Sequence, residues 1–480
     1  MGGGPGKEKH RLQADGVLDD GVSHYPVDAA GLQRFDAARQ HLVQMQTPLL
    51  HDSRNPDSRM FVASFDGTGN DVANDPEHAT NVARTHQAIV QRNQQGDTDI
   101  VSAYVAGPGT QGGFTGLWDG IHGHTYAQRL ELMYERFIQQ AKLWKQENPD
   151  AQISVAATGF SRGAEQAAGF TRLVHERGIQ DPDGAVYQRD DNNQITGVSY
   201  RLPPLQEPGS IAQAVALYDP VGTGVPVDDK DRRLPPSVIS GFQIIAEDER
   251  RGTFKASHII DPGMTADGRL LAVTVPGAHS DVGGSYHRDG LGTRSGNLMA
   301  DYLNGLSDQP FLEKRAESQD PRMNVIHRSE EGMWIYRWGS KVDRLQEEGY
   351  VQRLVPEHMV GKVDDPNNAQ PRDEALNARF ERQNVSIGRL PGQLPTPDQP
   401  DHPDHALHQQ IRQRVEQIDA GLGRDYDAAS ERLTASLLTV AKANGMQRVD
   451  HVMLSQDSQQ GRAGQHVFLV QGNADDALRM

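Results

Sequence analysis

The chain has 480 residues, 36% of them hydrophobic, enough for a sizeable buried core and for two or three domains. Its 48 basic and 65 acidic residues leave a formal charge of −17, which opposes long-range attraction to nucleic acid, so no nucleic-acid partner is expected. No run of about 18 apolar residues occurs, the Gly-rich start lacks the apolar stretch of a Sec signal, and zero cysteines exclude disulfides, thiol catalysis and Cys-ligated zinc.

Residues 1 to about 28 mix Gly, Asp and charge without a period and read as a disordered tail. Ala29 to Val43 places Leu32, Phe35, Ala38 and Leu42 at helical spacing, so a docking helix closes a leading region of residues 1–58. Met60 to Phe65 is a short apolar run that breaks into Asp66-Gly67-Thr68-Gly69, the pattern of a buried strand entering a turn. An amphipathic helix over residues 80–90, a strand over 100–105, a helix over 124–144 and a strand over 153–157 follow. Strands alternating with helices predict parallel βαβ units, with further buried strands at 212–218 and 270–275. The expected fold is thus α/β, a doubly wound, mostly parallel sheet spanning residues 59–310.

Residues 311–385 hold aromatic anchors among many charges and read as a cap or peripheral subdomain. Prolines 391, 395, 397, 400 and 403 mark residues 386–404 as a linker. A small α+β domain, residues 405–480, is expected beyond it, with helices over 406–418 and 428–444 and strands over 449–454 and 466–471.

Gly159-Phe160-Ser161-Arg162-Gly163 stands directly between the strand ending near Ala157 and a helix starting at Ala164. A G-x-S-x-G sequence in strand–turn–helix context is what a nucleophilic serine on a sharp turn requires, since its neighbours must be small. The helix N-terminus offers backbone N–H groups to a developing oxyanion, Arg162 first. A serine hydroxyl needs a base and the base an orienting acid, in chain order Ser, Asp, His for such a sheet. Asp219, after the strand ending at Tyr218, and His279, in Pro276-Gly-Ala-His279-Ser-Asp281, both lie where strands give way to loops. Asp281 is the rival acid; the alternatives for these residues are a turn cap for Asp219 and a backbone-bonded loop histidine for His279.

Gly67 and Thr68 are placed to supply a second oxyanion N–H. The same turn could instead cradle phosphate, but the Walker lysine is missing. The Gly-rich loop 107–118 joins mobile glycines to Phe114, Leu117 and Trp118, a lid that meets lipid or, equally, a buried aromatic tuck. His122 and His124 would need distant acids to bind metal, so no metal and no cofactor are expected.

Phe65-Asp-Gly-Thr68, Ala106-Gly-Pro-Gly-Thr110, Gly159-Phe-Ser-Arg-Gly-Ala164, Asp219-Pro-Val221 and the 276–284 segment together resemble the α/β-hydrolase phospholipases injected as antibacterial effectors, best known from type VI secretion. The resemblance covers residues 59–310 and implies Ser161 as nucleophile, Asp219 as acid and His279 as base. It implies a phospholipase A acting on acyl esters of membrane glycerophospholipid, with no cofactor. Two departures stand out: the family usually has Asp-Thr-Val at 219–221 and often Gly-Val-Gly at 107–109.

Asp401 to His405, Ser430 to Leu433, Arg448 to Val452 and Val467 to Gly472 resemble the C-terminal domain of Xanthomonas-type effectors of the killing type IV secretion system. Its ten acids and eight bases from Asp404 on do not make a polybasic lipid anchor. The resemblance implies a signal in residues 405–480 read by the coupling ATPase, synthesis in the cytoplasm, delivery into a target bacterium for action in its periplasm or at its membrane, and a cognate periplasmic immunity protein. The alternatives are a hydrolase of a soluble ester and a secreted binding protein that has kept the fold without turnover.

Overall fold

The computed structural model describes residues 12–67, 79–107, 126–189, 195–222, 230–332, 337–346, 350–351, 353–392, 397–398, 402–455, 464 and 466–472. The chain divides into two compact units, 1–391 and 392–480.

In the first unit, helix α1 (Ala29–Gln44) precedes a seven-stranded sheet built from β1 (Ser58–Phe65), β2 (Ile100–Val105), β3 (Gln152–Phe160), β4 (Gln213–Tyr218), β5 (Val238–Ala246), β6 (Gly263–Met264) and β7 (Leu270–Val275). The spatial order is β6-β7-β5-β4-β3-β1-β2, parallel except for the antiparallel edge pair β6–β7. Helices α2 (Asn81–Gln94), α3 (Tyr126–Glu147), α4 (Arg162–Arg177), α5 (His279–Gly283) and α6 (Gly290–Asn304) belong to the same unit. The order runs outward in both directions from the β1–β3 pair, the topological switch of a doubly wound sheet, and groups at the carboxyl ends of those strands face a common crevice.

Alternation along each strand sorts side chains to two cores. Met60 and Val62 of β1 pack with Phe35 and Leu42 of α1, Val82 and Ile89 of α2, and Leu298 and Tyr302 of α6. Phe61, Ala63 and Phe65 point the other way, onto Met133, Phe137 and Ala141 of α3 and Ala164, Ala168 and Phe170 of α4. Each such large side chain removed from water contributes about 1.5–3 kcal/mol.

Strand β5 has no counterpart in the sequence analysis. Its Val-Ile-Ser-Gly-Phe-Gln-Ile-Ile-Ala run is buried throughout, but Ser240 and Gln243 break the apolar pattern. Both are satisfied across the fold: Tyr302 Oη donates to Ser240 Oγ at 2.9 Å, and Gln243 Oε1 accepts from Ile260 N–H at 3.1 Å.

The expected disordered tail is structured from residue 12 onward. Strand His24–Pro26 pairs antiparallel with Val325–His327, and Asp28 caps α1 by accepting from Gly31 N–H at 2.6 Å. Asp15 takes the Arg288 guanidinium at 2.7 Å. Buried polar partners supplied by residues 287–327 hold a segment whose composition alone would leave it loose. We refer to residues 12–28 as the strap.

The second unit packs helices α7 (His405–Gly421) and α8 (Ala428–Ala443) with an antiparallel hairpin of β8 (His451–Leu454) and β9 (Val467–Val470). Leu407, Ile411, Val415, Leu437, Leu438 and Val449 form its core. Asp427 caps α8, and Gly445 follows its end at φ 68°, a conformation that glycine adopts without strain.

Candidate active site

Ser161 sits between the end of β3 and the start of α4 with φ 61° and ψ −126°, a conformation that costs a non-glycine residue about 1–3 kcal/mol. Its backbone is locked: Ser161 N–H donates to Tyr218 O at 3.0 Å, and Ser161 O accepts from Ala164 N–H at 3.0 Å. Both flanking glycines are required by contact. A Cβ on Gly159 would lie 2.2 Å from Gly163 O, and one on Gly163 would lie 2.2 Å from Phe65 O.

Asp219, at the end of β4, also has a positive φ, 38°. Its Oδ2 lies 2.6 Å from His279 Nδ1, and its Oδ1 accepts from Ala246 N–H at 3.0 Å. Burial by itself would raise this carboxyl, but Arg344 and the hydrogen bond with His279 hold it down at about 2. It is a carboxylate at any physiological pH.

His279 opens α5 and is nearly fully buried. Its ring lies 4.5 Å from that of Phe160 and 5.0 Å, edge-on, from that of Phe254. Burial pushes the imidazole below its ordinary value, against the opposing pull of Asp219. Glu249 Oε2 accepts the His279 backbone N–H at 3.2 Å, while its Oε1 pairs with Arg251 at 2.9 Å.

Asp281, two residues along, faces elsewhere. It accepts Ala278 N–H and His327 N–H, each at 2.9 Å, and its Oδ1 lies 2.6 Å from His327 Nδ1. His327 Nε2 meets Asp20 Oδ2 of the strap at 3.1 Å, and Tyr286 stacks on its ring at 3.8 Å. Burial opposes its charge, but the two carboxylates win and raise the imidazole to about 9.

A cavity of about 420 Å³ is lined by Ser161 and His279 together with Phe160, Arg251, Phe254 and, from the strap, Val22. Arg162, at the first turn of α4, lines it too. Of the loop expected to supply a second oxyanion donor, Gly67 N–H donates to Asp66 Oδ1 at 2.7 Å. Asp66 also accepts from Thr80 at 2.9 Å and from Tyr104 at 2.6 Å, which makes it the anchor of that turn. Thr68, Phe114, Leu117, Trp118, His122 and His124 lie outside the described residues.

Two contributions escaped the sequence analysis. Arg344 reaches Asp219 from the region expected to be peripheral, and the strap walls the cavity. Neither carries a local signal; an arginine in a charged, aperiodic stretch is ordinarily a solvated one.

Ser161 and His279 thus line one cavity, and Asp219 is paired with His279 behind it. Residues 59–196 match the family model of the T6SS phospholipase effector Tle1-like catalytic domain. The Tle1-like match includes Ser161 and ends before Asp219 and His279. Residues 398–480 match the X-Tfes XVIPCD model, so two separate segments of the chain are similar to a Tle1-like catalytic domain and to an XVIPCD domain. The sheet described above is mixed, mostly parallel and flanked by helices, as in an α/β-hydrolase. Among solved structures, the chain is similar to an uncharacterized protein from Pseudomonas aeruginosa at 15% identity and TM-score 0.33, over 90% of this chain and 66% of that one. It is also similar to the Tle1 effector solved bound to the VgrG spike of the type 6 secretion system, at 20% identity and TM-score 0.28, over 50% of this chain and 52% of that one. The chain therefore spans less than two thirds of either. No curated protein matches it.

Proposed function

We propose that residues 59–310, completed by Arg344 and the strap, form a serine esterase that hydrolyses acyl esters of membrane glycerophospholipids, a phospholipase A delivered as an antibacterial effector. The observation that carries this reading is the placement of Ser161, on a strained turn, and His279, paired with Asp219 at 2.6 Å, in the lining of the same cavity. Asp219 accepts Nδ1–H and so leaves Nε2 of His279 as the basic nitrogen. That nitrogen takes the Ser161 proton as Oγ attacks the acyl carbon, and returns it to the departing lysophospholipid oxygen. Water then repeats the cycle on the acyl-enzyme. Arg162 N–H, at the N-terminus of α4, stabilises the oxyanion, with Gly67 N–H a second donor once released from Asp66 and Thr68 N–H a third candidate. The low proton affinity of the buried imidazole keeps it in its accepting form at neutral pH.

The lipid assignment rests on the Tle1-like match, and Phe114, Leu117 and Trp118 are proposed as the lipid-meeting lid. Through its XVIPCD match, the second unit is proposed to be read by the type IV coupling ATPase, which would carry the enzyme out of a cytoplasm that its own membrane topology protects. A cognate periplasmic immunity protein would cover the Ser161 cavity in sibling cells.

The deciding experiment is release of fatty acid from phospholipid vesicles by the purified full chain beside Ser161→Ala. Loss of one triad member costs on the order of 10⁶-fold, so the variant should be silent with the fold intact. More than a tenth of wild-type turnover in the variant would remove Ser161 from the chemistry.

A further inference from the structure

We propose that Arg344 is a positioning residue of this site: by clamping one oxygen of Asp219 it turns the other onto His279 and keeps the imidazole able to accept a proton at lower pH. This rests on the assignment of Ser161, His279 and Asp219 above.

Arg344 opens a short 3-10 turn, Arg344–Gln346, and is buried. Its Nη1 donates to Asp219 Oδ1 at 2.6 Å and to Ala246 O at 2.7 Å. Ala246 N–H also donates to Oδ1, so that oxygen is fixed from two sides and Oδ2 is presented to His279 Nδ1. Arg344 Nη2 donates to Phe254 O at 2.6 Å. Phe254 is the residue whose ring edge flanks the imidazole, so one guanidinium sets both the carboxylate and the wall that orient His279. A planar fork reaches these acceptors from two nitrogens at a fixed separation, which the single nitrogen of a lysine ammonium on a flexible stem does not offer.

The electrostatic effect follows from placement. A buried Asp219 without a counter-charge would bind the imidazolium strongly and make His279 hard to deprotonate. Arg344 neutralises part of that attraction. Among the described residues, the other charged groups acting most on His279 are Glu249, which favours the imidazolium, and Arg251, which opposes it; Arg162 lines the same cavity. His258, close to Arg344 and Asp219, is pushed down to about 4 by burial first and Arg344 second, so it is uncharged near neutrality. Asp281 and Asp20 are turned to His327.

The test is the pH profile of kcat/KM on a water-soluble ester, measured for the full chain and for Arg344→Met and Arg344→Lys, with folding checked by circular dichroism. Arg344→Met should move the acidic limb up by about one pH unit, because the Asp219–His279 pair then takes its proton more readily. Arg344→Lys should leave the limb in place and lower kcat about tenfold, since charge is kept while the fork is lost. An unmoved limb in a folded Arg344→Met protein overturns the proposal. If Arg344→Met does not fold, wild-type kcat in Arg344→Lys overturns it, and a reduced kcat on an unmoved limb supports it. Activity surviving in Ser161→Ala would instead overturn the esterase assignment, which separates the two failures.

Discussion

Asp281 of α5 and His327 lie 2.6 Å apart, so the carboxylate nearest to His279 in sequence is engaged with a different imidazole. Asp219 pairs with His279 instead, at 2.6 Å from sixty residues upstream. The two acids therefore have different partners, and under the function proposed above only Asp219 orients the base.

The first prediction separates these tasks. Asp219→Asn should lower kcat per folded molecule by about 10⁴-fold, because the wrong tautomer of His279 is favoured, and should also lose stability, since buried Arg344 is left without its carboxylate. Asp281→Asn should keep most of its kcat per folded molecule but lose about 3–5 kcal/mol of stability, since His327 is left buried with one carboxylate fewer. Active-site titration of folded enzyme, combined with urea unfolding, measures both. A larger kcat loss in Asp281→Asn would reverse the roles.

A second prediction concerns pH and stability. The folded-state value of His327 is raised to about 9, above an unfolded value near 6.5. Its contribution is thus fully present below about pH 6.5 and is lost as pH rises through about 9, amounting to roughly 3 kcal/mol. Unfolding free energies of the wild type from urea titration should fall between pH 6.5 and 10, and those of His327→Gln should fall less by about that amount. Parallel curves for the two proteins would show that the Asp20–His327–Asp281 bridge stores no such energy.

The strap supplies the third. Val22 lines the cavity, and a Cβ on Gly332, another lining residue, would lie 3.3 Å from Val22 Cγ1. Val22→Trp should therefore fill cavity space that, under the function proposed above, the acyl chain would use. Turnover of long-chain esters should drop about tenfold or more, whereas acetyl esters stay within about twofold, the asymmetry of a hydrophobic pocket losing volume. Equal losses on both would place Val22 away from the acyl path.

Much of this site is legible locally. A buried strand, a small-x-Ser-x-small turn and an amphipathic helix are specified by neighbours within a few residues, so Gly159, Ser161 and Gly163 declare their geometry in the chain itself. Asp219 and His279 likewise stand at strand ends that apolar runs reveal. The helices α7 and α8, with Gly445 closing the second, are written in the same short-range code of period and cap.

What the chain order could not decide is which charges meet. That Asp219 pairs with His279 and Asp281 with His327 depends on how β4 and α5 are brought together, which proximity in sequence does not encode. Arg344 reaches Asp219 across 125 residues, and Asp20 reaches His327 across 307; no spacing or periodicity encodes either. Strand β5 was hidden for the same reason, because Ser240 and Gln243 look solvent-facing until Tyr302 and Ile260 are packed against them. Local pattern determines which segments become strands, turns and helices, since it reflects the short-range sterics and one-sided burial of each segment. The partners of buried polar groups are set only when the sheet closes and removes water, and at that point each carboxylate takes whichever cation or N–H the packing has brought within reach.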